Sequence, residues 1–147
     1  SKLDLAKQFG ATELIDASAG DPVQQVRDAT GGGVDYAFEA IGMKVTAEQA
    51  WGMTGRGGTA TVIGMIPIGE TVELPGFDFL SEKKIQGSLM GSNRFRIDMP
   101  RYIDFYLAGK LKLDELVSDR IKLEQVNDGF TALSSGEIAR DVIVFDS

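Results

Sequence analysis

The sequence predicts an α/β fold built on a mostly parallel sheet. Two short apolar runs, residues 34–41 and 59–64, both lead into a glycine (Gly42 and Gly64), and a helical pattern lies between them. Two such strands joined by a helix are typical of a parallel βαβ unit. Open α/β sheets bind ligands at the carboxyl ends of their strands, where a glycine lets a flat molecule approach the backbone. The pattern therefore predicts a cofactor at these strand ends.

The remaining elements follow from the spacing of apolar residues and from the positions of glycine and proline. In chain order, the sequence predicts a helix over 3–9, a strand over 11–16, a helix over 21–30, a strand over 34–41, a helix over 44–54, a strand over 59–64, a possible strand over 71–74, a strand over 85–91, a long helix with Pro100 in its first turn, a strand over 117–123, a helix over 124–133 and a strand over 142–145. This alternation favours a parallel sheet with helices on its faces.

Helix boundaries rest on specific residues. Asp21 can cap the second helix, Pro22 suits its first position, and Gln24 stands at capping-box spacing. The glycines at 31–33 end that helix.

The long helix carries an amphipathic stripe and ends at Gly109. We expect Tyr102, Phe105 and Tyr106 to lie in the core. Beyond about residue 110 the charge is denser and the strands are weaker, so we expect that segment to pack separately.

Composition excludes several functions. The net charge is −7 and no basic block is present, which argues against nucleic acid. No apolar run approaches the roughly 20 residues that a membrane span needs. The opening residues show no secretory pattern, and the chain has no Cys, so we expect a cytoplasmic protein. With neither Cys nor His, the chain alone has no ordinary zinc ligands and no histidine base.

One stretch, residues 55–60, matches the dinucleotide fingerprint G-x-G-x-x-G/A. The fingerprint should follow a strand and open a helix, whereas a strand follows this match. We interpret it as a helix-to-strand turn, and the pyrophosphate loop is then missing from the chain.

Three charged residues have two interpretations each. Glu39, near the end of a buried strand, is either a structural carboxylate paired to a neighbouring amide or part of the site. Arg56 and Arg140 are either surface charges or functional cations. Arg140 is the stronger functional candidate, because it stands in a loop before the last strand, from which it could reach a phosphate.

Several segments in order resemble the C-terminal part of zinc-dependent, medium-chain alcohol dehydrogenases, nearest to the class of glutathione-dependent formaldehyde dehydrogenases and nitrosoaniline-dependent alcohol dehydrogenases. The segments that carry the resemblance are residues 7–13, 32–42, 62–67, 85–91, 100–102, 109–116, 129–130, 135–137 and Arg140. The set covers essentially the whole chain.

The resemblance implies an incomplete Rossmann-like, doubly wound parallel sheet over residues 1–110 and a segment over 111–147 that returns to the catalytic domain. It also implies NAD as cofactor, with NADP not excluded. The residues implied to bind the cofactor are Lys2, Ala40, Ile41, Gly42, Ile63, Gly64, Met65, Ser88, Met90 and Arg140. Met65 and Leu89 would also face the substrate channel.

In that family the fingerprint loop, the acidic residue that selects NAD and the zinc ligands precede the part that this chain resembles. We therefore expect a fragment that is inactive alone, with zinc bound only in the full-length protein. Its expected partners are the missing N-terminal part, a small alcohol or aldehyde, and a further copy of the enzyme. The alternative is a non-catalytic nucleotide-binding or dimerisation module.

Overall fold

A computed structural model describes residues 2–136 and 138–145. The chain divides into two compact units, one of residues 15–93 and one of residues 1–14 and 94–147. The helices are α1 (Lys2–Gln8), α2 (Pro22–Thr30), α3 (Lys44–Met53), α4 (Phe95–Leu107) and α5 (Val126–Ser135), and the strands are β1 (Val34–Glu39), β2 (Thr54–Val62), β3 (Lys84–Gly87), β4 (Asp119–Ile121) and β5 (Asp141–Ile143). Short 3-10 helices lie at Ala17–Ala19, Gly76–Ser81, Leu89–Ser92, Asp114–Leu116 and Leu123–Gln125.

The unit of residues 15–93 is built on a parallel sheet with the strand order β1-β2-β3. Its register sets Glu39 opposite Val62, and Val62 opposite Gly87, so the three strands end side by side. The predicted βαβ unit and parallel sheet are thus confirmed. The core under this sheet is small and consists of Ala37, Ala50, Trp51 and Ala60, with Val34, Leu74 and Ile85 packed against it.

Helix α2 begins as its sequence predicts. The Asp21 carboxylate accepts a hydrogen bond from the Val23 amide, and Pro22 occupies the first helical position. The capping-box interpretation of Gln24 is wrong, because its side chain donates to Asp28 instead. The helix ends at Gly31, whose φ of 69° lies in the left-handed region that glycine tolerates.

Strand β2 is longer than the sequence predicts, because it begins at Thr54 rather than at residue 59. Residues 55–58, interpreted above as a turn, lie inside the strand as an irregularity in its pairing with β1. The register shows this directly: Val34 pairs with Thr54, but Tyr36 pairs with Thr59. Glycine has a low strand propensity, so the glycine-rich residues 55–58 were not predicted as part of the strand.

Four other predictions are wrong. Residues 11–16 and 71–74 form no strand, since neither segment pairs with a strand in the described structure. Helix α4 begins at Phe95, which places Pro100 inside the helix rather than in its first turn. The predicted core aromatic residues of α4 are exposed: Tyr102 by 41%, Phe105 by 47% and Tyr106 by 37%.

The other unit contains a second parallel pair, β4 with β5, next to helix α5, which ends at Gly136. Ser118 connects the segments that precede the two strands, because its amide donates to the Arg140 carbonyl and its hydroxyl accepts from the Ala139 amide. Within residues 2–136 and 138–145 no helix is long and apolar enough to cross a membrane. The division of the chain at residue 110 stays a prediction.

Candidate functional site

The carboxyl ends of β1, β2 and β3 form one edge of the sheet. The Glu39 carbonyl accepts hydrogen bonds from the amides of Ile63 (2.7 Å) and Gly64 (3.1 Å), and the Val62 carbonyl accepts from the Ser88 amide (2.9 Å). These bonds continue the sheet pairing past the last residue of each strand. The three predicted cofactor segments, residues 40–42, 63–65 and 88–90, therefore lie together at this edge.

The side chain of Glu39 organises the edge from within. It is only 3% exposed, and its Oε1 accepts hydrogen bonds from the amides of Ile41 and Gly42, both at 2.7 Å, and from the Thr46 hydroxyl at 2.8 Å. Its other oxygen, Oε2, is buried without a hydrogen-bond partner among the described residues. The structural interpretation of Glu39, a carboxylate paired to neighbouring amides, is confirmed.

These donors decide the charge state of Glu39. Burial alone would raise the pKa of this carboxyl, but the hydrogen bonds from the Gly42 amide, the Thr46 hydroxyl and the Ile41 amide outweigh it and lower the pKa below its ordinary value. Glu39 is therefore an ionised, buried carboxylate at neutral pH. Its charge rigidifies the turn that follows β1.

Gly42 and Gly64 bring two strand-end backbones into direct contact. A Cβ on Gly42, whose φ is 89°, would stand 2.7 Å from the Met65 carbonyl oxygen. A Cβ on Gly64 would stand 2.6 Å from the Oε2 of Glu39 and would collide with the Gly42 nitrogen. Only glycine fits at either position, so the backbones of the two strand ends pack directly against each other.

Apolar side chains border this edge and are open to solvent. Ile41, Ile63, Met65, Leu89 and Met90 are all exposed, Met65 by 91%. Met90 also has a left-handed φ of 49°, an unusual conformation for a residue with a side chain. Such conformations are concentrated at ligand sites, where the surrounding structure holds them.

The two predicted cationic contacts lie in the other unit. Lys2 is the first residue of α1, and its Nζ lies 3.5 Å from where a Cβ of Gly136 would stand. Arg140 is exposed and precedes β5, with its amide donating to the Ser118 hydroxyl at 3.3 Å. The structure thus places Lys2 and Arg140 in one unit and the strand-end residues in the other.

The chain does not fit a zinc site. It contains no Cys and no His, and in the described part of the chain no group of three or more Asp or Glu residues comes together as a metal ion requires. Any zinc chemistry would need ligands that this chain does not carry.

The model of the family described as zinc-binding dehydrogenase matches residues 1–108. The chain belongs to the zinc-binding dehydrogenase family. Among the curated relatives, it is 35% identical over 145 residues to geraniol dehydrogenase of Carpoglyphus lactis, covering 98% of this chain and 38% of that protein. It is 32% identical over 154 residues to alcohol dehydrogenase class-3 of Cereibacter sphaeroides, covering 99% and 41%.

A solved dehydrogenase structure shares the fold. The benzyl alcohol dehydrogenase of Acinetobacter calcoaceticus superimposes with a TM-score of 0.92 at 29% identity, over 99% of this chain and 40% of that one. These matches confirm the resemblance to zinc-type medium-chain alcohol dehydrogenases and the partial Rossmann-like sheet. The chain spans about two fifths of the length of these dehydrogenases. Family membership makes it part of an oxidoreductase family whose full-length enzymes use NAD(P) and zinc.

The sequence did not reveal two sets of residues. Thr46, which holds Glu39, gives no signal beyond its position in the first turn of a predicted helix. A cluster of Arg27, Trp51, Asp78 and Lys83 at the other ends of the strands also escaped notice, because its members are up to 56 residues apart in the chain. A lone Lys just before a strand is ordinarily a surface residue.

Proposed function

We propose that this chain forms the nicotinamide-dinucleotide-binding part of a zinc-type alcohol dehydrogenase. The cofactor is NAD, and NADP is equally compatible with the residues present. One observation carries the proposal: at the shared edge of β1 and β2, Glu39 holds the turn at Gly42 against Gly64, which leaves bare backbone beside exposed apolar side chains. That combination suits a flat, heteroaromatic ligand with polar edges.

Each predicted residue has a distinct task in this proposal. Ala40, Ile41 and Gly42 line the adenine side, and Ile63, Gly64 and Met65 line the nicotinamide side. Backbone groups of Ser88 and Met90 hold the carboxamide. Lys2 approaches the adenosine ribose, and Arg140 pairs with the phosphates. The family resemblance supports these assignments, and the shared strand edge supports those of residues 40–42, 63–65 and 88–90.

The reaction follows from the family. When bound, the nicotinamide ring supplies the hydride acceptor for an alcohol or the hydride donor for an aldehyde. This chain orients the ring through its strand-end backbone and excludes water with Met65 and Leu89, which form one apolar wall of the substrate channel. The zinc ligands come from a preceding part of the same enzyme, so this chain alone has no turnover.

The proposal also includes the location and the oligomeric state of the enzyme. We assign it to the cytoplasm and to a homo-oligomer. The exposed apolar side chains of α4, among them Phe95, Ile103 and Leu107, favour a dimerisation or docking role as the second candidate function.

An NADH titration with matched variants tests the proposal. Ile41→Asp places a charge on the adenine wall at a side chain that is 72% exposed, and Leu80→Asp places the same charge on an equally exposed residue (73%) away from the strand ends. We expect saturable NADH binding by the parent chain and by Leu80→Asp, and at least tenfold weaker binding by Ile41→Asp. No saturable binding, together with a stable dimer, would favour the dimerisation module. Equal NADH affinity in both variants would exclude the strand ends as the NADH-binding site.

A further inference from the structure

A polar cavity of about 300 Å³ lies at the edge of the sheet opposite the strand-end site. Thr54 is the first residue of β2 and Lys83 immediately precedes β3, so the cavity sits at the amino ends of these strands. The residues that line it come from three segments of the chain: Arg27, Gly32, Thr54, Gly55, Arg56, Asp78, Ser81 and Lys83. Its volume is at the low end of the roughly 300–1,000 Å³ of small-molecule sites.

The cavity is lined mainly by positive charges, although the chain as a whole is acidic. The whole chain has a net charge of −7, yet Arg27, Arg56 and Lys83 surround this cavity with Asp78 as the one acidic lining residue. Cations gathered around one concave site, in a chain that is otherwise acidic, focus a positive potential there. An anion is the ligand that such a potential attracts.

Lys83 is the buried cation of the group. Its side chain is 6% exposed, its Nζ donates to the Trp51 carbonyl at 2.7 Å, and it lies 3.7 Å from Asp78 Oδ2. Burial lowers the pKa of Lys83, Asp78 raises it, and Arg27 lowers it further. The attraction of Asp78 is larger than the repulsion by Arg27, so burial is what keeps the pKa of Lys83 lowered. A bound anion would add a further attraction for the charged form of Lys83, which burial disfavours.

Structural hydrogen bonds use only some of the available donors. Arg27 donates from Nη1 to the Gly52 carbonyl at 3.1 Å, and the Asp78 carboxylate accepts from the Trp51 indole at 3.1 Å. The bonds from Arg27 to the Gly52 carbonyl and from Lys83 to the Trp51 carbonyl cap the carboxyl end of α3 and give both cations a structural role. Arg27 keeps N–H groups on its other two nitrogens, since a guanidinium has more donors than one nitrogen carries.

Arg56 has no such structural task. It is exposed, and its side chain forms neither a hydrogen bond nor an ion pair with any described residue. The glycine-rich irregularity of β2 carries it: Gly57 has a φ of 71°, and a Cβ on Gly58 would stand 2.8 Å from the Val34 carbonyl oxygen. The strand is therefore distorted at two glycines, one with a left-handed backbone and one packed closely against β1, and the distortion presents a free guanidinium at the cavity.

We propose that this cavity binds a phosphate group, either free or on a small ester, between Arg27, Arg56 and Lys83. The Ser81 hydroxyl supplies a further donor on the cavity wall. Guanidinium groups match the planar faces of phosphate oxygens, and the ammonium of Lys83 adds a point charge beneath them. The glycine-rich stretch that failed as a dinucleotide fingerprint thereby acquires a role at a second, separate anion site.

Trp51 provides a direct readout. It is the only tryptophan of the chain, and the Nζ of Lys83 lies 4.4 Å above its ring. Inorganic phosphate and glycerol phosphate are titrated into the full chain at constant ionic strength, with chloride as the balancing anion. Fluorescence of Trp51 and calorimetry follow binding. Arg56→Ala removes the free cation, and Arg101→Ala removes an exposed arginine that lies outside the cavity.

We expect saturable binding with a Kd of about 1 mM or tighter. Arg56→Ala should bind about tenfold more weakly and Ser81→Ala measurably more weakly, while Arg101→Ala should match the parent. Tighter binding of the ester identifies a phosphate ester as the ligand, and tighter binding of the free ion identifies phosphate itself. Absence of saturable binding, an unchanged affinity in Arg56→Ala, or displacement of phosphate by NADH would overturn the proposal. The last result would place the anion at the dinucleotide site, which is tested separately by Ile41→Asp.

Discussion

The Oε1 of Glu39 lies 2.7 Å from the Gly42 nitrogen, so the last residue of β1 holds the turn that follows it. The same residue's carbonyl accepts from Ile63 and Gly64 at the end of β2. Glu39 thus connects two strand ends through both its side chain and its backbone. The charge that does this is buried and ionised, which makes its contribution to folding measurable.

Replacing Glu39 should therefore destabilise the fold. Glu39→Ala leaves the Gly42 and Ile41 amides without their acceptor, and we expect the free energy of unfolding to fall by about 2 kcal/mol or more. Glu39→Gln keeps one acceptor oxygen and should cost less. Urea unfolding of the two variants measures both effects, and equal stability of Glu39→Ala and the parent chain would contradict this role.

The same carboxylate predicts a pH dependence. The folded state lowers the pKa of Glu39 below the ordinary value of 4.5, so the folded state binds its proton less readily than the unfolded chain. Its stabilisation is complete above about pH 4.5 and is lost as the pH falls through the lower, folded-state pKa. The stability difference between the parent and Glu39→Gln should accordingly shrink below pH 4.5. A difference that stays constant down to pH 3 would show that folding does not lower the pKa of Glu39.

Gly64 should not tolerate a side chain. Gly64→Ala forces a methyl group against the Glu39 carboxylate and the Gly42 backbone, so we expect it to separate the two strand ends and to weaken NADH binding at least tenfold. Gly76→Ala is the matched control, because a Cβ there meets nothing within 4 Å. Calorimetry measures the NADH affinity of both variants. Equal affinity in the two would mean that the strand-end edge of the sheet is not the binding surface.

Arg140 provides a prediction for the full-length enzyme. If it pairs with the cofactor phosphates, Arg140→Ala should raise the Kd for NAD by roughly tenfold or more, since a charge-assisted hydrogen bond contributes about 1.5–3 kcal/mol. Arg120→Ala, an exposed arginine in β4 of the same unit, is the control. An unchanged Kd in Arg140→Ala would remove this residue from the site.

Local signals predicted much of this fold. The cap at Asp21, Pro22 at the helix start and the glycines after α2, β1 and β2 act through their own backbone geometry, which the sequence states directly. The apolar runs of β1 and β2 also predicted a parallel pair, because both have helical segments around them. The strand-end segments could be located for the same reason.

Other features depend on contacts that no local pattern contains. The first residues of β2 are glycine-rich and acquire strand structure only through pairing with β1. The apolar stripe of α4 has the period of a buried helix, yet its aromatic side chains are exposed, since amphipathicity does not say what covers a helix. The cavity around Lys83 needs three segments to meet, so only the three-dimensional structure reveals it.

Hydrogen exchange on adding NADH tests the central claim most directly. If the carboxyl edge of β1, β2 and β3 binds the dinucleotide, exchange should slow in the peptides that contain residues 40–42, 63–65 and 88–90. It should stay unchanged in residues 55–58 at the opposite ends of the strands. Slowing confined to residues 55–58, or no change at the three strand ends under saturating NADH, would contradict the account.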